Sequence, residues 1–258
     1  MTSQQKTSLY SRSKKEHRLT VGYTYYEEPD RLRQLCDIWK TWPANLDIFL
    51  VDDGSEVFPA IDIINQLDLQ DYHPTLQLWK CTRNLGFNSH GCRNLIAKFA
   101  QTDVIQFMDI DMYMHAPDLA RLKKMVWEED YIAHHNCYRT FDQTLVPEPG
   151  HFNTFAIHKK LFWEAGGYDE SFTGHHWGDR EFLERIYALP HTKIKSRCSV
   201  VLERKGKHGV VTDKVDKTVY AIGDETRFET PLGIPEVKKL RGTVKTRLNF
   251  PFIKLKDL

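Results

Sequence analysis

The first half of the chain alternates between apolar runs and amphipathic stretches. The apolar runs are rich in branched and aromatic residues and predict β-strands at residues 19–25, 46–53, 75–81 and 103–111. Between them, apolar positions recur with helical spacing, most clearly over 89–101. Strands that alternate with helices in this way predict an α/β fold with a mostly parallel central sheet flanked by helices.

The second half has a less regular pattern. Helices are predicted from about Pro117 and over residues 179–189, where Pro190 ends the apolar spacing. The N-terminal segment is polar and basic and predicts a flexible arm, 1–18, in front of the remaining residues, 19–258. Because no internal repeat or low-complexity tract divides those remaining residues, we expect a single domain.

The composition is that of an ordinary globular protein. The chain has 258 residues, 41% of them hydrophobic, and a net charge of +1, whereas a nucleic-acid-binding protein is usually strongly basic. No run approaches the roughly 18 apolar residues of a membrane span, and no apolar signal-peptide core follows the basic arm. We therefore expect a cytoplasmic protein that binds no nucleic acid and has no membrane span, with peripheral association left open.

The cysteines support the same location. They are odd in number and none is part of a C-x-x-C motif; they are Cys36, Cys81, Cys92, Cys137 and Cys198. This spacing argues against a zinc ribbon or a thioredoxin-type redox site. Scattered reduced thiols fit a reducing compartment.

Two acids end the fourth predicted strand. Asp109 and Asp111 are separated by one residue, and residues i and i+2 of a strand share a face, so both carboxylates can point to one spot. Convergent carboxylates hold either a shared proton or a hard divalent cation. Mg²⁺ or Mn²⁺ bound in this way keeps coordination positions open for substrate phosphates. The alternative is an acid pair that only solvates the end of a strand.

A second acidic pair, Asp52 and Asp53, ends the second predicted strand and is followed by Gly54. A carboxylate here can accept hydrogen bonds from a base or a ribose, and the glycine permits a tight turn. Turn formation alone is the alternative. Because ligands of parallel α/β sheets bind at the carboxyl ends of the strands, we expect the two acidic pairs to share one cleft.

The glycine-rich segment at residues 86–91 is not a P-loop. Its G-x-x-x-x-G spacing is followed by Cys92 and Arg93 instead of the phosphate-binding lysine and the metal-binding hydroxyl, which excludes an ATPase or kinase of that type. The sequence also lacks a G-x-G-x-x-G dinucleotide motif. Arg93, in the first turn of a predicted helix, can still reach a diphosphate bidentately, with a solvated surface arginine as the alternative.

These motifs, in this order, resemble the nucleotide-binding half of GT-A glycosyltransferases, especially the large inverting family 2. VGYTYY (21–26) is similar to the family's P-T-Y-N turn, with two tyrosines in place of the proline and the asparagine. VDDGS (51–55) matches its nucleoside-binding strand end. RNLGFNSHGCRN (83–94) resembles its N-x-G-x-x-x-A-R-N helix, which leads into the D-x-D strand. The resemblance covers about residues 20–190 and implies a single GT-A, Rossmann-like domain.

The second half of the chain continues the resemblance. AGGYDES (165–171) is similar to the family's G-G-F-D-E turn, and WGDREFLER (177–185) to its acceptor-side helix. Asp179 aligns with the second acid of the family's Glu-Asp pair and is the implied catalytic base. Gly178 stands where the first acid is expected, and this departure weakens the match.

The residues before Asp179 also resemble the W-G-G-E element of galactosyl- and N-acetylgalactosaminyl-transferases. Trp177 can stack on a sugar face, with core packing as the alternative, and we assign its neighbour His176 to the acceptor site too. Some of those enzymes retain the anomeric configuration, so the resemblance leaves the stereochemistry open.

The resemblance implies three groups of site residues. The implied ligands of Mn²⁺ or Mg²⁺ are Asp111, Asp109 and His208, with an exposed loop position as the alternative for the histidine. The implied nucleotide-sugar-binding residues are Thr24, Tyr25, Asp52, Asp53, Arg93 and Asp109. The chain then divides into a nucleotide-binding half, an acceptor half and a C-terminal segment over the cleft, at 19–115, 116–205 and 206–258.

The predicted function is transfer of a sugar from a nucleoside diphosphate sugar, in the first place a UDP-sugar, to a hydroxyl of a glycan or another acceptor, with inversion. A retaining GT-A transferase is one alternative. A non-catalytic carbohydrate- or partner-binding module is another, which the missing acid before Asp179 favours slightly. A sugar-phosphate nucleotidyltransferase is a further alternative. Such enzymes carry a basic, glycine-rich loop after the first strand, and YTYYEEPD (23–30) lacks one, which argues against this function.

Overall fold

A computed structural model of the chain describes residues 19–67, 74–86, 88–125, 127–141, 144–148, 153–172, 178–202, 248 and 250–257. The predicted arm, 1–18, lies outside the described residues, as does most of the predicted C-terminal segment. The part of that segment that is described is a strand at the edge of the sheet.

Strands and helices alternate in the first half in the predicted order. The elements are β1 (Leu19–Tyr25), α1 (Pro29–Trp39), β2 (Leu46–Asp52), α2 (Ala60–Ile64), β3 (Thr75–Cys81), α3 (Ser89–Phe99) and β4 (Val104–Asp109). The four strands predicted from apolar runs are confirmed, and β1 and β3 have the predicted bounds. The reason is that β1, β2 and β4 are buried along nearly their whole length, which makes their runs almost continuously apolar.

The second half combines strands of 2 to 11 residues with α-helices of 6 to 11 residues. The elements are β5 (Met112–Tyr113), α4 (Ala116–Lys124), β6 (Tyr131–Phe141), β7 (Thr144–Glu148), β8 (Phe155–His158), α5 (Lys159–Glu164), a 3-10 turn (Glu170–Phe172), α6 (Gly178–Ala188), β9 (Lys193–Leu202) and β10 (Phe252–Asp257). The predicted helices near Pro117 and over 179–189 correspond to α4 and α6.

The described strands form one sheet in the order β10-β3-β2-β1-β4-β8-β6-β9-β5, with β7 paired to β6. The pairs among β1, β2, β3 and β4 are parallel, as predicted from the alternation of strands and helices. On either side the pairing is mostly antiparallel, although β6 and β9 run parallel. The predicted class, an α/β domain with a large central sheet flanked by helices, is confirmed.

Buried apolar clusters cover the two faces of the sheet. Tyr23 of β1 packs with Trp39 and Trp42 on one face, and α3 packs with α5 and α6 on the other. Gly22 faces α3, and a Cβ atom there would lie 2.8 Å from Cγ2 of Ile96. The glycine therefore lets α3 lie close against the centre of the sheet, which fixes the position of the helix that carries Arg93.

No helix of the described residues is long and apolar enough to cross a membrane. Four cysteines with described side chains, Cys36, Cys81, Cys92 and Cys137, are buried and outside disulfides. The cytoplasmic location stays a prediction.

Candidate active site

Both acidic pairs lie at one edge of the sheet. Thr24, near the end of β1, is in register with Val51 of β2 on one side and with Asp109 of β4 on the other. The backbone N–H of Asp53 donates to the carbonyl of Tyr25 at 2.8 Å and continues the pairing past the end of β2. The carboxyl ends of the three central strands therefore form the floor of the candidate site.

Asp52 and Asp53 are both buried, and their carboxylates face the protein interior. Oδ1 of Asp52 accepts the N–H of Ser55 at 2.8 Å, and Oδ2 accepts the N–H of Ala60 at 2.8 Å. Oδ2 of Asp53 accepts the N–H of Asn88 at 2.7 Å. Burial raises the pKa of Asp53 to about 7. In this structure the pair holds the loop after β2 and the start of α3 in place.

Gly54 explains why two of the sequence motifs belong together. Its φ of +81° lies in the left-handed region, and a Cβ atom would lie 2.9 Å from the carbonyl oxygen of Arg83 and from Cα of Asn84. Asn84 Nδ2 donates to the Tyr26 hydroxyl at 3.0 Å, and its Oδ1 accepts the N–H of Gly86. The VDDGS turn therefore packs directly on the loop that precedes α3.

Glu27 organises the rim of the site and was not predicted as a site residue. Its carboxylate accepts the backbone N–H groups of Glu56, Val57 and Phe58, and its own N–H donates to Ser55 Oγ at 3.1 Å. The side chains of Val57 and Phe58 are 72% and 48% exposed. A buried carboxylate therefore anchors an exposed apolar loop, a long-range contact that sequence spacing does not reveal.

Tyr25 supports the same loop from below. Its ring is fully buried, and its hydroxyl donates to the carbonyl of Phe58 at 2.6 Å. Burial raises the pKa of this hydroxyl above its ordinary value, so the group stays protonated and can donate. Thr24, by contrast, is only half-buried at the edge of the sheet.

The guanidinium of Arg93 bridges two carboxylates that are far apart in the sequence. Nη2 donates to Oδ1 of Asp109 at 2.6 Å. Nη1 donates to the Tyr168 hydroxyl at 3.0 Å and to Oδ1 of Asp179. The Tyr168 hydroxyl donates to the same oxygen of Asp179 at 2.9 Å. Arg93 is buried between these groups, so it joins the first acid of the D-x-D motif to the predicted base.

Charge pairing and burial set the protonation of this network. Burial alone lowers the pKa of Arg93, but Asp179, Tyr168 and Asp109 outweigh it and hold the pKa above the ordinary arginine value. Burial raises the pKa of Tyr168, which keeps its hydroxyl a donor. Burial also raises the pKa of Asp109, while Arg93 counteracts that rise. The network is a permanent cation surrounded by hydrogen-bond acceptors and one hydroxyl.

Asn94, next in the sequence, fixes the turn that carries Tyr168. Its Oδ1 accepts the N–H of Tyr168 at 2.8 Å, and its Nδ2 donates to the carbonyl of Tyr168 and to Glu170 Oε1. Gly167 has a φ of +65°, and a Cβ atom there would lie 2.9 Å from Asn94 Oδ1. The Arg-Asn pair of α3 therefore explains why the G-G-Y turn occurs where it does.

Arg185, in the C-terminal half of α6, attaches this helix to the turn after α5. Arg185 donates from Nε and Nη2 to the two carboxylate oxygens of Glu181 at 2.7 and 2.8 Å. It also donates to the carbonyls of Ala165 and Gly167. The Glu181–Arg185 pair lies within the acceptor-side motif, attaches α6 to the same turn and thereby holds Asp179 towards Arg93.

The two acids of the D-x-D motif have different surroundings. Asp109 and Asp111 do not share a strand face as predicted, because β4 ends at Asp109 and Asp111 lies in the following turn. The second oxygen of Asp109 accepts from Asn153 Nδ2, a residue that was not predicted. Asp111 is half-buried, and among the described residues its carboxylate accepts no hydrogen bond. Its charge helps burial to raise the pKa of nearby Glu28.

The oxygen atoms available as metal ligands at this edge of the sheet fit a hard divalent cation. Mg²⁺ and Mn²⁺ take oxygen ligands, and the Asp111 carboxylate is an oxygen donor that no described hydrogen bond occupies. Each carboxylate oxygen of Asp109 accepts one hydrogen bond, from Arg93 or from Asn153. Asp109 can therefore act as a second metal ligand only through an oxygen that also accepts one of these bonds. The remaining predicted site residues, His208, Trp177 and His176, lie outside the described residues.

His90 accounts for the missing first acid before Asp179. Its imidazole is buried and packs between the rings of Tyr168 and Phe172, at centroid distances of 5.4 and 6.3 Å. A Cβ atom at Gly178 would lie 2.4 Å from Nε2 of His90. The histidine fills the space beside Asp179 that a side chain at position 178 would need.

The fold is that of a glycosyltransferase domain of the GT-A class. A family model for glycosyl transferase family 2 matches residues 20–187, about two thirds of the chain, and the chain belongs to this family. No curated protein sequence matches it significantly.

Solved structures with the same fold are distant in sequence. GalNAc-T7, solved with UDP, GalNAc and Mn²⁺, is 16% identical over 88% of this chain, with a TM-score of 0.57. A mannosyltransferase from Pyrobaculum calidifontis, solved with GDP-Man and Mn²⁺, is 14% identical over 90% of this chain and 77% of its own, with a TM-score of 0.55. TarS 1–349 from S. aureus is 12% identical over 86% and 77% of the two chains, with a TM-score of 0.59.

At these identities the likeness establishes the fold. The chain covers 54% of the length of the GalNAc-T7 chain.

Proposed function

We propose that this protein transfers a sugar from a nucleoside diphosphate sugar, in the first place a UDP-sugar, to a hydroxyl of a glycan or another acceptor. The proposed transfer inverts the anomeric carbon and uses Mn²⁺ or Mg²⁺. The observation that carries the proposal is the Arg93 bridge between Asp109 and Asp179. Transfer requires donor and acceptor groups to meet in one cleft, and one buried cation joins the donor-side acid to the acceptor-side acid.

Asp111 is the proposed principal metal ligand, with Asp109 beside it and His208 as a further candidate. A bound divalent cation would neutralise the charge that develops on the leaving diphosphate. The chain's own contribution is to orient Asp109, which Arg93 and Asn153 hold by both carboxylate oxygens. The bound Mn²⁺ of two structures with the same fold supports this choice of metal.

Asp179 is the proposed base for the acceptor hydroxyl. Within the described residues, hydrogen bonds reach only Oδ1 of this carboxylate, from Arg93 and Tyr168. These two donors fix its orientation, and Oδ2 is left to accept a proton. Trp177 and His176, which precede it in the sequence, are proposed to contact the acceptor.

The nucleoside pocket is proposed to lie over Thr24 and the loop after β2. Tyr25, Asp52 and Asp53 are buried, so their proposed part is to shape the backbone on which the nucleoside rests. Arg93, which is also buried, is proposed to position Asp109 and Asp179. UDP in GalNAc-T7 and GDP-Man in the mannosyltransferase support a nucleoside diphosphate sugar as donor, so a test includes both nucleotides.

The test measures release of nucleoside diphosphate from a panel of UDP- and GDP-sugars, with Mn²⁺, with Mg²⁺ and with excess chelator. Metal-dependent release with one donor is expected, and it should be lost in Asp111→Ala. Arg180→Gln is the matched control, because Arg180 is 47% exposed in the same helix as Asp179. Donor binding without release would favour a non-catalytic binding module. A product with retained configuration would favour the retaining alternative.

A further inference from the structure

A second group of ligating side chains lies beneath the loop after β2, and it shares no residue with the D-x-D motif. Asp53 follows β2, Cys81 ends β3 and Cys92 lies in the first turn of α3. One ligand atom of each lies within 4.8 Å of the others, and all three residues are buried. The cluster therefore joins three elements at one point in the interior.

The distance between the two sulfur atoms suits a tetrahedral metal. Cys81 Sγ and Cys92 Sγ are 3.7 Å apart. Two thiolates that bind one zinc ion at about 2.3 Å with tetrahedral angles lie about 3.8 Å apart. The two sulfurs thus already have the separation that binding requires, and β3 and α3 need not move to bring them together.

Asp53 supplies an oxygen donor to the same point. Its Oδ1 is buried and has no N–H or O–H partner among the described residues; besides the N–H of Asn88, only the weak thiol donors Cys81 and Cys92 interact with the carboxylate. A buried carboxylate oxygen with only such weak partners is costly, and a cation is one of the few groups that can compensate it. Oδ2 accepts the N–H of Asn88 at 2.7 Å, an outer contact of the kind that orients ligating carboxylates.

We propose that Asp53, Cys81 and Cys92 bind a thiophilic divalent cation, with Zn²⁺ as the biological candidate. Thiolate ligands select zinc over the hard cations Mg²⁺ and Mn²⁺, so this site is chemically distinct from the proposed site at Asp111. Binding releases the thiol protons and puts two thiolates and a carboxylate around the ion. The ion would tie β2, β3 and α3 together under the proposed nucleoside pocket.

The experiment uses the full chain, reduced and freed of metal by a chelator that is then removed. Cd²⁺ is titrated in, and thiolate-to-metal charge-transfer absorption is recorded. A band that saturates at equal amounts of ion and chain is expected, and Mn²⁺ should produce none. Zn²⁺ should displace Cd²⁺, and it should raise the melting temperature of the wild-type chain because it binds the folded state, in which the three ligands meet, more tightly than the unfolded chain.

Variants assign the band to its ligands. Cys81→Ser and Cys92→Ser should each lose it, and Asp53→Asn should weaken it. Cys36→Ser is the matched control, because Cys36 is buried on the opposite face of the sheet, and it should keep the band. Asp111→Ala should keep it too, which separates this site from the proposed catalytic metal. Circular dichroism confirms that each variant is folded.

Three results would overturn the proposal. The first is a folded, reduced wild-type chain that shows no band with Cd²⁺ and no change in melting temperature with Zn²⁺. The second is a band that persists in Cys81→Ser or Cys92→Ser. The third is a disulfide between Cys81 and Cys92 in the isolated chain that, once reduced, forms again even though Zn²⁺ is present. None of them bears on sugar transfer, which is measured separately by nucleotide release.

Discussion

His90 Nε2 lies 2.4 Å from the place where a Cβ atom would stand at Gly178, so the two residues are sterically matched. Ala has a better intrinsic helix propensity than Gly by about 1 kcal/mol in a helix interior. The advantage is smaller at Gly178, the first residue of α6, but by itself it would make Gly178→Ala stabilising. The clash reverses that expectation, because the imidazole is buried between two rings. Overpacking of this kind typically costs about 1–3 kcal/mol.

Gly178→Ala should therefore lower the free energy of unfolding, as measured by urea denaturation. In the His90→Ala background the space beside position 178 is open, so adding Gly178→Ala there should cost less free energy of unfolding than it does in the wild type. Equal effects of Gly178→Ala in the two backgrounds would show that the residues are not coupled.

Arg93→Lys should impair catalysis even though it preserves the charge. A lysine ammonium lacks the planar fork that donates to Asp109 and Asp179 at once. We expect turnover to fall at least tenfold, with a smaller change in donor affinity, in a nucleotide-release assay. Arg180→Gln serves as control. Unchanged turnover in Arg93→Lys would remove the bridge from the mechanism.

Arg93→Ala should also destabilise the fold. Removing one partner of a buried ion pair costs about 3–5 kcal/mol, because the remaining charges are buried without compensation. The Asp109 side chain is 29% exposed, so the lower end of this range is expected. Urea denaturation measures the loss, and Arg93→Lys should lose less than Arg93→Ala.

Asp179→Asn should lower turnover by about 10²–10⁴-fold while donor affinity stays near that of the wild type. The amide can still accept from Arg93 and Tyr168 but cannot take the acceptor's proton. Steady-state rates and calorimetry with the donor check the two parts. Near-normal turnover, or a product with retained configuration, would exclude Asp179 as the base of an inverting transfer.

Glu27→Gln should loosen the loop over the proposed nucleoside pocket. Hydrogen bonds to a charged group contribute about 1.5–3 kcal/mol, and this carboxylate accepts three backbone N–H groups. We expect a lower free energy of unfolding and weaker donor binding in calorimetry. Glu56→Gln, at an exposed position of the same loop, should change neither.

His135 should make stability depend on pH. Burial, with a smaller contribution from His134, lowers the pKa of His135 to about 3, and its Nε2 lies 2.7 Å from Gln106 Oε1. The unfolded chain therefore binds a proton below about pH 6.5 that the folded chain does not. The stability conferred by neutral His135 is complete above that pH and is lost as the pH falls towards about 3, by at most about 1.4 kcal/mol for each pH unit.

His135→Gln should flatten this dependence, which urea denaturation between pH 7.5 and pH 5 can measure. His115→Gln is the control, because His115 is exposed. An equal pH dependence in wild type and His135→Gln would contradict the assignment.

Much of the fold was predictable because its signals are local. The strands β1 and β3 have the predicted bounds, since buried parallel strands produce continuous apolar runs between turn residues. The mixed pairing of β6, β8 and β9 was not predictable, because it depends on contacts between segments that are distant in sequence. Strands of mixed polarity give no signal about their partners, even when they are as long as β6 and β9.

The candidate site divides in the same way. Motif order located the sheet edge, but the positions of individual side chains depend on long-range packing. Arg93 was expected at the surface or at a diphosphate, whereas it is buried between Asp109 and Asp179. Cys81 and Cys92 have no metal-binding spacing in the sequence and meet only because β3 and α3 pack together.

The terminal strands of the sheet are built to discourage pairing with other molecules. Among the described strands, β10 is outermost on one side, where it covers the edge of β3. It carries Lys254 and Lys256, and its register with β3 shifts between them, so it offers a charged and irregular edge. On the other side the outermost strand, β5, has only two residues. The charges and the irregular register of β10 limit edge-to-edge aggregation at its side of the sheet, so a chain cut before β10 would expose the edge of β3 to pairing with other molecules.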